Sequence, residues 1–144
     1  MKINFKRLSP EAKTPTYGTE YSAGADLYNL NAAVEIAPRA TVIIHTGIAL
    51  EIPEGYCGLI FARSGLATKR GLAPANKVGV IDADYRGEIM VALHNHTGVP
   101  ATVDAGERVA QLAIVPFLKA EFDECTELSD TVRGEQGFGS TGRK

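Results

Sequence analysis

The sequence predicts an all-β fold, a jelly roll, sandwich or small barrel of short strands that ends in a flexible C-terminal arm. Short segments that alternate apolar and polar residues recur about every ten residues, and Gly, Pro and Asp, which favour turns, lie between them. Val, Ile, Gly and Pro interrupt the helical patterns everywhere except in residues 64–71 (SGLATKRG). Only that segment is expected to form a helical turn or two.

Eight segments are predicted to be strands. In chain order they are KINFKRL (2–8), GADLYNL (24–30), ATVIIHTGIALEI (40–52), YCGLIFA (56–62), KVGVID (77–82), EIMVALHN (88–95), RVAQLAIVPF (108–117) and AEFDEC (120–125). The fifth and sixth are predicted to pair as a hairpin joined through residues 84–87 (DYRG). Because the alternation ends at Cys125, residues 1–125 are predicted to form one β domain and residues 126–144 a mobile arm.

Composition limits the class of protein. A chain of 144 residues with 44% hydrophobic and 22% charged residues fits one globular domain. No apolar run is long enough to span a membrane, and no apolar segment follows the basic start, so a cytoplasmic location is expected. A net charge of −2 argues against a partner such as nucleic acid. Cys57, expected in the core, and Cys125 lack the spacing of a zinc site and are predicted to be reduced thiols.

The C-terminal segment contains GFGSTG (137–142), which has the GxGxxG spacing of a dinucleotide-binding loop. No predicted strand leads into it and only two residues follow, so a Rossmann site is excluded. Glycine backbone can nevertheless approach phosphate oxygens, with Ser140, Thr141 and Arg133 as further donors. Phe138 lies among glycines where it can stack on a base. The alternative interpretation is a disordered terminus.

Three other segments carry candidate site residues. In ARSGLA (62–67), the backbone amides after Ser64 can face an anion, or Ser64 can simply cap a turn. Asp26 and Gln111 lie in apolar surroundings, where each is either a site residue or a hydrogen-bonded structural group. The histidines at 45, 94 and 96 lack metal-ligand spacing and are interpreted as structural.

Five segments in order, AGADLYNL, ARSGLA, GVIDADYRGEI, GERVAQL and RGEQGFGSTG, resemble the five motifs of the trimeric dUTP diphosphatases (dUTPases). The resemblance spans residues 23–142. The one departure is Ala62, where the family commonly has proline. The resemblance implies a homotrimer whose sites are shared between subunits. It also implies Mg²⁺-assisted attack of water on the α-phosphorus of dUTP, which keeps uracil out of DNA and supplies dUMP for thymidylate synthesis.

The resemblance also implies roles for the residues of the third motif. Asp82 would be the general base that activates the attacking water. Tyr85 would lie against the deoxyribose and exclude a 2′-hydroxyl. The backbone around Asn76 and Gly79 would hydrogen-bond the uracil edge and reject cytosine, because a site built for one donor and acceptor pattern leaves buried groups unpaired with another.

The remaining motifs are implied to bind the phosphates and the metal. Asp26 would hold waters of a Mg²⁺ ion bound mainly by the substrate phosphates. In the arm, Phe138 would stack on uracil as the segment closes over the nucleotide. The implied phosphate-binding residues are Arg63, Ser64, Gly65, Gln111, Arg133, Gly139, Ser140 and Thr141.

Two alternatives are retained. The related dCTP deaminases share the fold but alter the base. A jelly-roll protein that binds or senses a nucleotide without hydrolysing it needs neither a general base such as Asp82 nor a closing arm.

Overall fold

The structure is a computed structural model that describes residues 1–135 and residue 137. None of the described helices could cross a membrane. The elements of the described residues are the strands β1 (Asn4–Arg7), β2 (Thr16–Tyr17), β3 (Ala25–Tyr28), β4 (Val34–Ile36), β5 (Thr41–His45), β6 (Ile48–Glu51) and β7 (Tyr56–Ala62), the helix α1 (Ser64–Arg70), and the strands β8 (Leu72–Pro74), β9 (Gly79–Ile81), β10 (Met90–Asn95), β11 (Ala101–Val103) and β12 (Arg108–Pro116).

These strands form antiparallel sheets. The largest has the order β2-β3-β12-β7-β9, a second has the order β5-β10-β8, and β1-β6 and β4-β11 form two-stranded pairs. Most neighbours in a sheet are distant in sequence, as in jelly rolls, where strands repeatedly cross from one layer to the other. The predicted all-β, jelly-roll-like fold is confirmed, and so is the short helix after Arg63.

One continuous hydrophobic core joins the sheets and the helix. It includes Leu27 of β3, Leu50 of β6, Leu66 of α1, Leu93 of β10 and Val103 of β11, all of them buried. Burying an aliphatic side chain of this size stabilises the folded state by about 1.5–3 kcal/mol. The core thus fixes the strands whose ends carry the candidate site residues.

The predicted strand at residues 40–52 is divided by a corner at Thr46 and Gly47. Gly47 has a φ of 67°, and a Cβ there would lie 2.8 Å from Cβ of Ala12 and 2.9 Å from Cδ2 of Leu30. Both the left-handed backbone and the lack of space therefore favour glycine. The Thr46 hydroxyl donates to the carbonyl of Ile89 at 2.5 Å, which fastens the corner to the chain just before β10.

The predicted hairpin of residues 77–82 and 88–95 is wrong. β9 pairs with β7, whereas β10 pairs with β5 and β8, so the two strands belong to different sheets. The connection between Ile81 and Met90 is longer than the predicted one through residues 84–87, which leaves room for the two strands to enter different sheets. The intervening residues form a loop that carries two of the candidate site residues, Asp82 and Tyr85.

Two further expectations are corrected. Residues 120–125 do not form a strand, because no described strand pairs with them and Phe122 is 95% exposed, without apolar neighbours to cover it. Cys57 is only half-buried, since β7 turns Gly58 and Ile60 toward the core instead. Cys57 and Cys125 are both free thiols, as predicted.

Candidate active site

Asp26 is the buried charged group around which one half of the candidate site is arranged. It lies on β3 and is 3% exposed. Its Oδ1 accepts a hydrogen bond from Nε of Arg63 at 2.9 Å, and its Oδ2 accepts one from Nη1 of Arg108 at 3.1 Å. A carboxylate removed from water needs such partners to offset its desolvation. The pair of guanidinium groups leaves this part of the surface positively charged.

Arg63 reaches Asp26 from the end of β7, across the intervening strand β12, and Gln111 lies on β12 itself. Arg63 directly follows β7, and Gln111 of β12 is opposite both Asp26 on β3 and Phe61 on β7. Directly opposite residues project from the same face of a sheet, so Gln111 lies beside Asp26. A Cβ at Gly24 would come within 3.1 Å of Cβ of Gln111, so the glycine makes room for this side chain.

Ser64 and Gly65 form the exposed start of α1, next to Arg63. Of the two interpretations of this segment, the one in which Ser64 caps a turn is wrong for the helix. The N-cap is Arg63 and no side chain caps the helix there. The carbonyl of Ser64 instead accepts a hydrogen bond from the Thr68 hydroxyl at 2.7 Å. The Ser64 hydroxyl is therefore not used as a cap.

Sequence reasoning missed three charged residues of this region. Arg108 is the second partner of Asp26. Arg70, in the last turn of α1, forms an ion pair with Glu107, which also accepts a hydrogen bond from the Asp104 amide at 2.9 Å. This ion pair holds α1 against the turn that leads into β12. The only available sequence signal was that Glu107 and Arg108 belong to the segment GERVAQL.

Asp82 begins the loop that follows β9, and its side chain is exposed. The amide of Tyr85 donates to the carbonyl of Asp82 at 3.2 Å, which closes a tight turn. Nη1 of Arg86 donates to the carbonyls of Ala83 at 2.6 Å and Tyr85 at 3.0 Å, which stiffens the same turn. A shallow cavity of about 200 Å³ opens here; its lining residues are Val80, Ile81, Asp82, Tyr85, Glu88 and Met90.

The Tyr85 ring is held against the backbone of its own loop. The hydroxyl donates to the carbonyl of Glu88 at 2.9 Å, and the residue is 40% exposed. A Cβ at Gly87 would lie 2.5 Å from Cζ of Tyr85, so only a glycine lets the ring occupy this position. Tyr85 also lines the cavity next to Asp82.

Asn76 and Gly79 lie on the turn and strand that precede Asp82. The amide of Val78 donates to the carbonyl of Asn76 at 2.7 Å, and Lys77 has a φ of 66° in this tight turn. Gly79 is buried opposite Ile60 of β7, and a Cβ there would lie 3.3 Å from Cβ of Ile60. The glycine permits β9 to approach β7 closely.

Glu88 ends the loop and joins it to the corner between β5 and β6. Its Oε2 contacts Nδ1 of His45 at 2.8 Å, and its Oε1 accepts the Gly47 amide at 2.8 Å. Burial raises the pKa of Glu88, but the hydrogen bonds from His45 and Gly47, the charge of His45 and the Thr46 backbone outweigh it. The pKa of this carboxyl therefore lies below its ordinary value.

The three histidines have structural surroundings. His45 contacts Glu88, and Nδ1 of His94 lies 2.9 Å from the Thr41 hydroxyl. The rings of His94 and His96 meet edge to face, with centroids 4.5 Å apart. Burial, and then the nearby charges of His94, Lys77 and Arg39, lower the pKa of His96. Among the described residues, no three His, Cys, Asp or Glu side chains are placed to hold a metal ion together.

The candidate residues fall into two groups at opposite ends of β7. Ile81, which precedes Asp82, is opposite Gly58, whereas Arg63 follows Gly58 by five residues. At about 3.3 Å per residue, the two places are ~17 Å apart along the sheet. Within one chain the structure thus brings Asp26, Arg63 and Gln111 together, and separately Asp82 and Tyr85.

The predicted arm residues are only partly described. Arg133 is exposed, and Gly134 closes a turn by donating to the carbonyl of Thr131 at 3.1 Å. The predicted roles of Phe138, Gly139, Ser140 and Thr141 concern residues outside the described ranges.

A family model described as dUTPase matches residues 10–142. The deoxyuridine 5'-triphosphate nucleotidohydrolase of Hydrogenobaculum sp. (strain Y04AAS1) is 48% identical over 144 residues, which is all of both chains. The enzyme of the same name from Nautilia profundicola is 47% identical over 143 residues, covering 99% of this chain and 100% of that one.

Solved structures are also similar. The dUTPase of Staphylococcus bacteriophage 80alpha with dUPNHPP superposes with a TM-score of 0.91 at 31% identity, covering 98% of each chain. A mutant dUTPase from phage phi11 of S. aureus, described as revealing the coordination of a structural Mg(II) ion, has a TM-score of 0.80 at 27% identity. It covers 88% of this chain and 98% of that one.

Proposed function

The chain belongs to the dUTPase family, and from that premise we propose that it hydrolyses dUTP to dUMP and diphosphate. The observation that carries this proposal is the loop after β9, which presents an exposed carboxylate, Asp82, beside a tyrosine ring fixed at the edge of a cavity. Such a reaction removes dUTP, so that uracil is kept out of DNA, and it supplies dUMP for thymidylate synthesis.

Asp82 acts in this proposal as the general base. Its carboxylate accepts a proton from the water that attacks the α-phosphorus, and the diphosphate leaves on the opposite side. Tyr85 presents a ring face that leaves no room for a 2′-hydroxyl, because Gly87 and the Glu88 carbonyl fix the ring. The backbone of Asn76 and Gly79 recognises the uracil edge.

The phosphate chain is bound by the group around Asp26. Arg63, oriented by Asp26, supplies a charge-assisted hydrogen bond. Ser64 and Gly65 supply a hydroxyl and backbone amides at the exposed start of α1, and Gln111 contacts the α-phosphoryl group. Positioning and electrostatic stabilisation of this kind account for most of the catalysis in phosphoryl transfer.

The donor groups present fit a Mg²⁺ ion that is held mainly by the substrate. Magnesium keeps several waters and is commonly bound by one or two carboxylates together with phosphates. Asp26, whose oxygens already accept hydrogen bonds from two arginines, is suited to an outer contact through water rather than to direct ligation. When bound, the ion would neutralise charge on the phosphate oxygens.

We further propose a homotrimer in which each active site is shared between subunits. In one chain, Arg63 follows the end of β7, whereas Ile81, next to Asp82, is opposite Gly58 near the start of β7, ~17 Å away by the strand register. A general base must reach its substrate within hydrogen-bond distance, directly or through one water. Sites assembled from more than one chain satisfy this requirement.

In the same assembly, residues 126–144 act as an arm that closes over a bound nucleotide, beyond the domain of residues 1–125. The described residues 126–135 are exposed and outside the sheets, which supports an arm distinct from the β domain. Phe138 stacks on uracil, while Arg133, Gly139, Ser140 and Thr141 bind phosphates. A cytoplasmic location accords with the free thiols of Cys57 and Cys125.

Diphosphate release, measured with the four deoxynucleoside triphosphates and UTP in the presence of Mg²⁺, tests the reaction. Release from dUTP far above that from the other nucleotides is the expected result. Ammonia release from dCTP would instead identify a deaminase, and tight binding of dUTP without any product would identify a nucleotide sensor.

Subunit mixing tests whether the sites are shared. Asp82→Asn and Arg63→Ala chains are each inactive in the proposal, but mixed trimers contain some sites with both wild-type residues. Unfolding and refolding the two variants together should therefore restore part of the activity. If the mixture stays inactive although mixed trimers form, the sites are not shared.

A further inference from the structure

The geometry of the loop after β9 assigns a role to Glu88, a residue that the proposed binding of base, sugar and phosphates does not use. We propose that Glu88 is a positioning residue for sugar selection: its carboxylate, tied to the corner between β5 and β6, fixes the carbonyl that holds the Tyr85 ring. This inference rests on the proposed function, since it concerns how the same site distinguishes deoxyribose from ribose.

The anchoring is double and reaches into the folded core. One carboxylate oxygen accepts the Gly47 amide at 2.8 Å, and the other contacts Nδ1 of His45 at 2.8 Å. Little free space surrounds Gly47, because a Cβ there would lie within 2.9 Å of Ala12 and Leu30. Glu88 is thus fastened to the closely packed corner between β5 and β6.

The same residue holds the tyrosine through its backbone. The Tyr85 hydroxyl donates to the Glu88 carbonyl at 2.9 Å. The neighbouring Ile89 is fixed as well, since its amide donates to the Ile48 carbonyl at 2.8 Å and its carbonyl accepts the Thr46 hydroxyl. The carbonyl that Tyr85 uses is therefore positioned by the anchored Glu88 side chain on one side and by the hydrogen bonds of Ile89 on the other.

Gly87 completes the arrangement from the other side. Because a Cβ at this position would overlap the outer part of the Tyr85 ring, the ring can lie back on the loop only over a glycine. A ring that is hydrogen-bonded through its hydroxyl and packed against Gly87 cannot rotate to admit a bulkier sugar, whereas a freely rotating ring can admit one.

The test compares the ratio of kcat/KM for dUTP to that for UTP among variants of the full-length protein. Glu88→Ala should lower this ratio by tenfold or more. Glu88→Gln should keep it within about threefold, since its carbonyl oxygen still accepts the Gly47 amide and its amino group can donate to His45. Glu35→Ala, an exposed change on β4, is the matched control and should leave the ratio unchanged.

A double-mutant cycle separates positioning from a general loss of structure. In a Tyr85→Ala background, Glu88→Ala should have no further effect on the ratio, because both changes act through the same ring. A Glu88→Ala variant that folds and keeps the wild-type ratio overturns the inference. So does an equal loss of the ratio in both backgrounds.

A measurement that does not depend on catalysis tests the inference even if the protein hydrolyses no nucleotide. With 3-fluorotyrosine incorporated, the ¹⁹F resonance of Tyr85, assigned by its loss in Tyr85→Phe, should broaden or shift in Glu88→Ala but not in Glu88→Gln. A wild-type protein that fails to hydrolyse dUTP would refute the proposed function, whereas an unmoved Tyr85 resonance in Glu88→Ala would refute the positioning role.

Discussion

Nε of Arg63 donates a 2.9 Å hydrogen bond to a carboxylate oxygen of Asp26 that is almost completely withdrawn from solvent. Arg63 itself is more accessible, with 26% of its side chain exposed. Buried Asp26 thus orients the more accessible Arg63, so the guanidinium is already positioned before an anion binds. Orientation of this kind lowers the entropy cost of binding.

Asp26→Asn should therefore weaken both stability and phosphate binding. The amide retains one acceptor but loses the charge that two arginines share, and hydrogen bonds to charged groups contribute about 1.5–3 kcal/mol. Because both arginines are partly exposed, we expect a loss near the lower end, about 2 kcal/mol. Urea unfolding at fixed protein concentration measures it. An Asp104→Asn control, on an exposed turn, should unfold like the wild type.

The same variant should raise KM for dUTP more than it lowers kcat, because a misdirected Arg63 weakens ground-state binding of the phosphate chain. An unchanged KM together with unchanged stability would show that the buried ion pair has neither role.

Asp82→Asn should preserve the fold and nucleotide binding but remove hydrolysis. The amide cannot accept a proton from water, and general-base catalysis is worth about 10² to 10⁴-fold. Asp84→Asn is a close control, since Asp84 is an exposed carboxylate in the same loop. Turnover of purified protein at fixed Mg²⁺ concentration, with binding of a non-hydrolysable dUTP analogue, checks both. Comparable losses in the two variants would remove the special role of Asp82.

The sequence predicted individual strands better than it predicted their partners. Residues 56–62 form β7 as expected because a short apolar run there is bounded by turn residues on both sides. The supposed hairpin failed because alternation marks a strand without specifying what it pairs with, and β9 and β10 join different sheets. Strands of two or three residues, such as β8, are too short to show any period.

For the candidate site, too, individual residues were predicted better than the contacts between them. Asp26 was identified as a carboxylate that must be either a site residue or a paired structural group. Its partners, Arg63 and Arg108, are 37 and 82 residues away, so only the register of β3, β12 and β7 brings them together. The anchoring of Glu88 could not be predicted for the same reason, because its partners His45 and Gly47 precede it by more than forty residues in the sequence.

Acid should weaken the folded state partly through Glu88. The pKa of Glu88 is lower in the folded protein than in the unfolded chain, where a glutamate has its ordinary value of 4.5. The ionised carboxylate therefore stabilises the folded state above pH 4.5, and this contribution is lost as the pH falls through the pKa of the folded state. Glu88→Gln should thus be less stable than the wild type near neutral pH, with the difference shrinking below about pH 4.5. Free energies of unfolding across this range measure it. In a His45→Gln background the difference should be smaller. A difference that is constant with pH would contradict the assignment.

Deletion of residues 133–144 should leave a folded domain with poor catalysis. The neighbouring residues 126–132 are exposed, and the deleted segment is rich in glycine, so little buried surface is lost and thermal stability without ligand should barely change. Catalysis should fall much more. A base stack from Phe138 is worth about 1–3 kcal/mol and a charged hydrogen bond from Arg133 about 1.5–3 kcal/mol, offset in part by the entropy of ordering the arm.

At about 1.4 kcal/mol per tenfold change, the net loss in kcat/KM should be tenfold or more. Two single changes distinguish stacking from mere bulk: Phe138→Trp should retain activity because an indole also stacks on a base, whereas Phe138→Leu should lose a large part of it. The tryptophan variant also allows stacking to be followed by fluorescence, because its emission should be quenched when a non-hydrolysable dUTP analogue and Mg²⁺ are added. A truncated protein with the full rate, together with tryptophan emission insensitive to nucleotide, would show that the arm takes no part in binding.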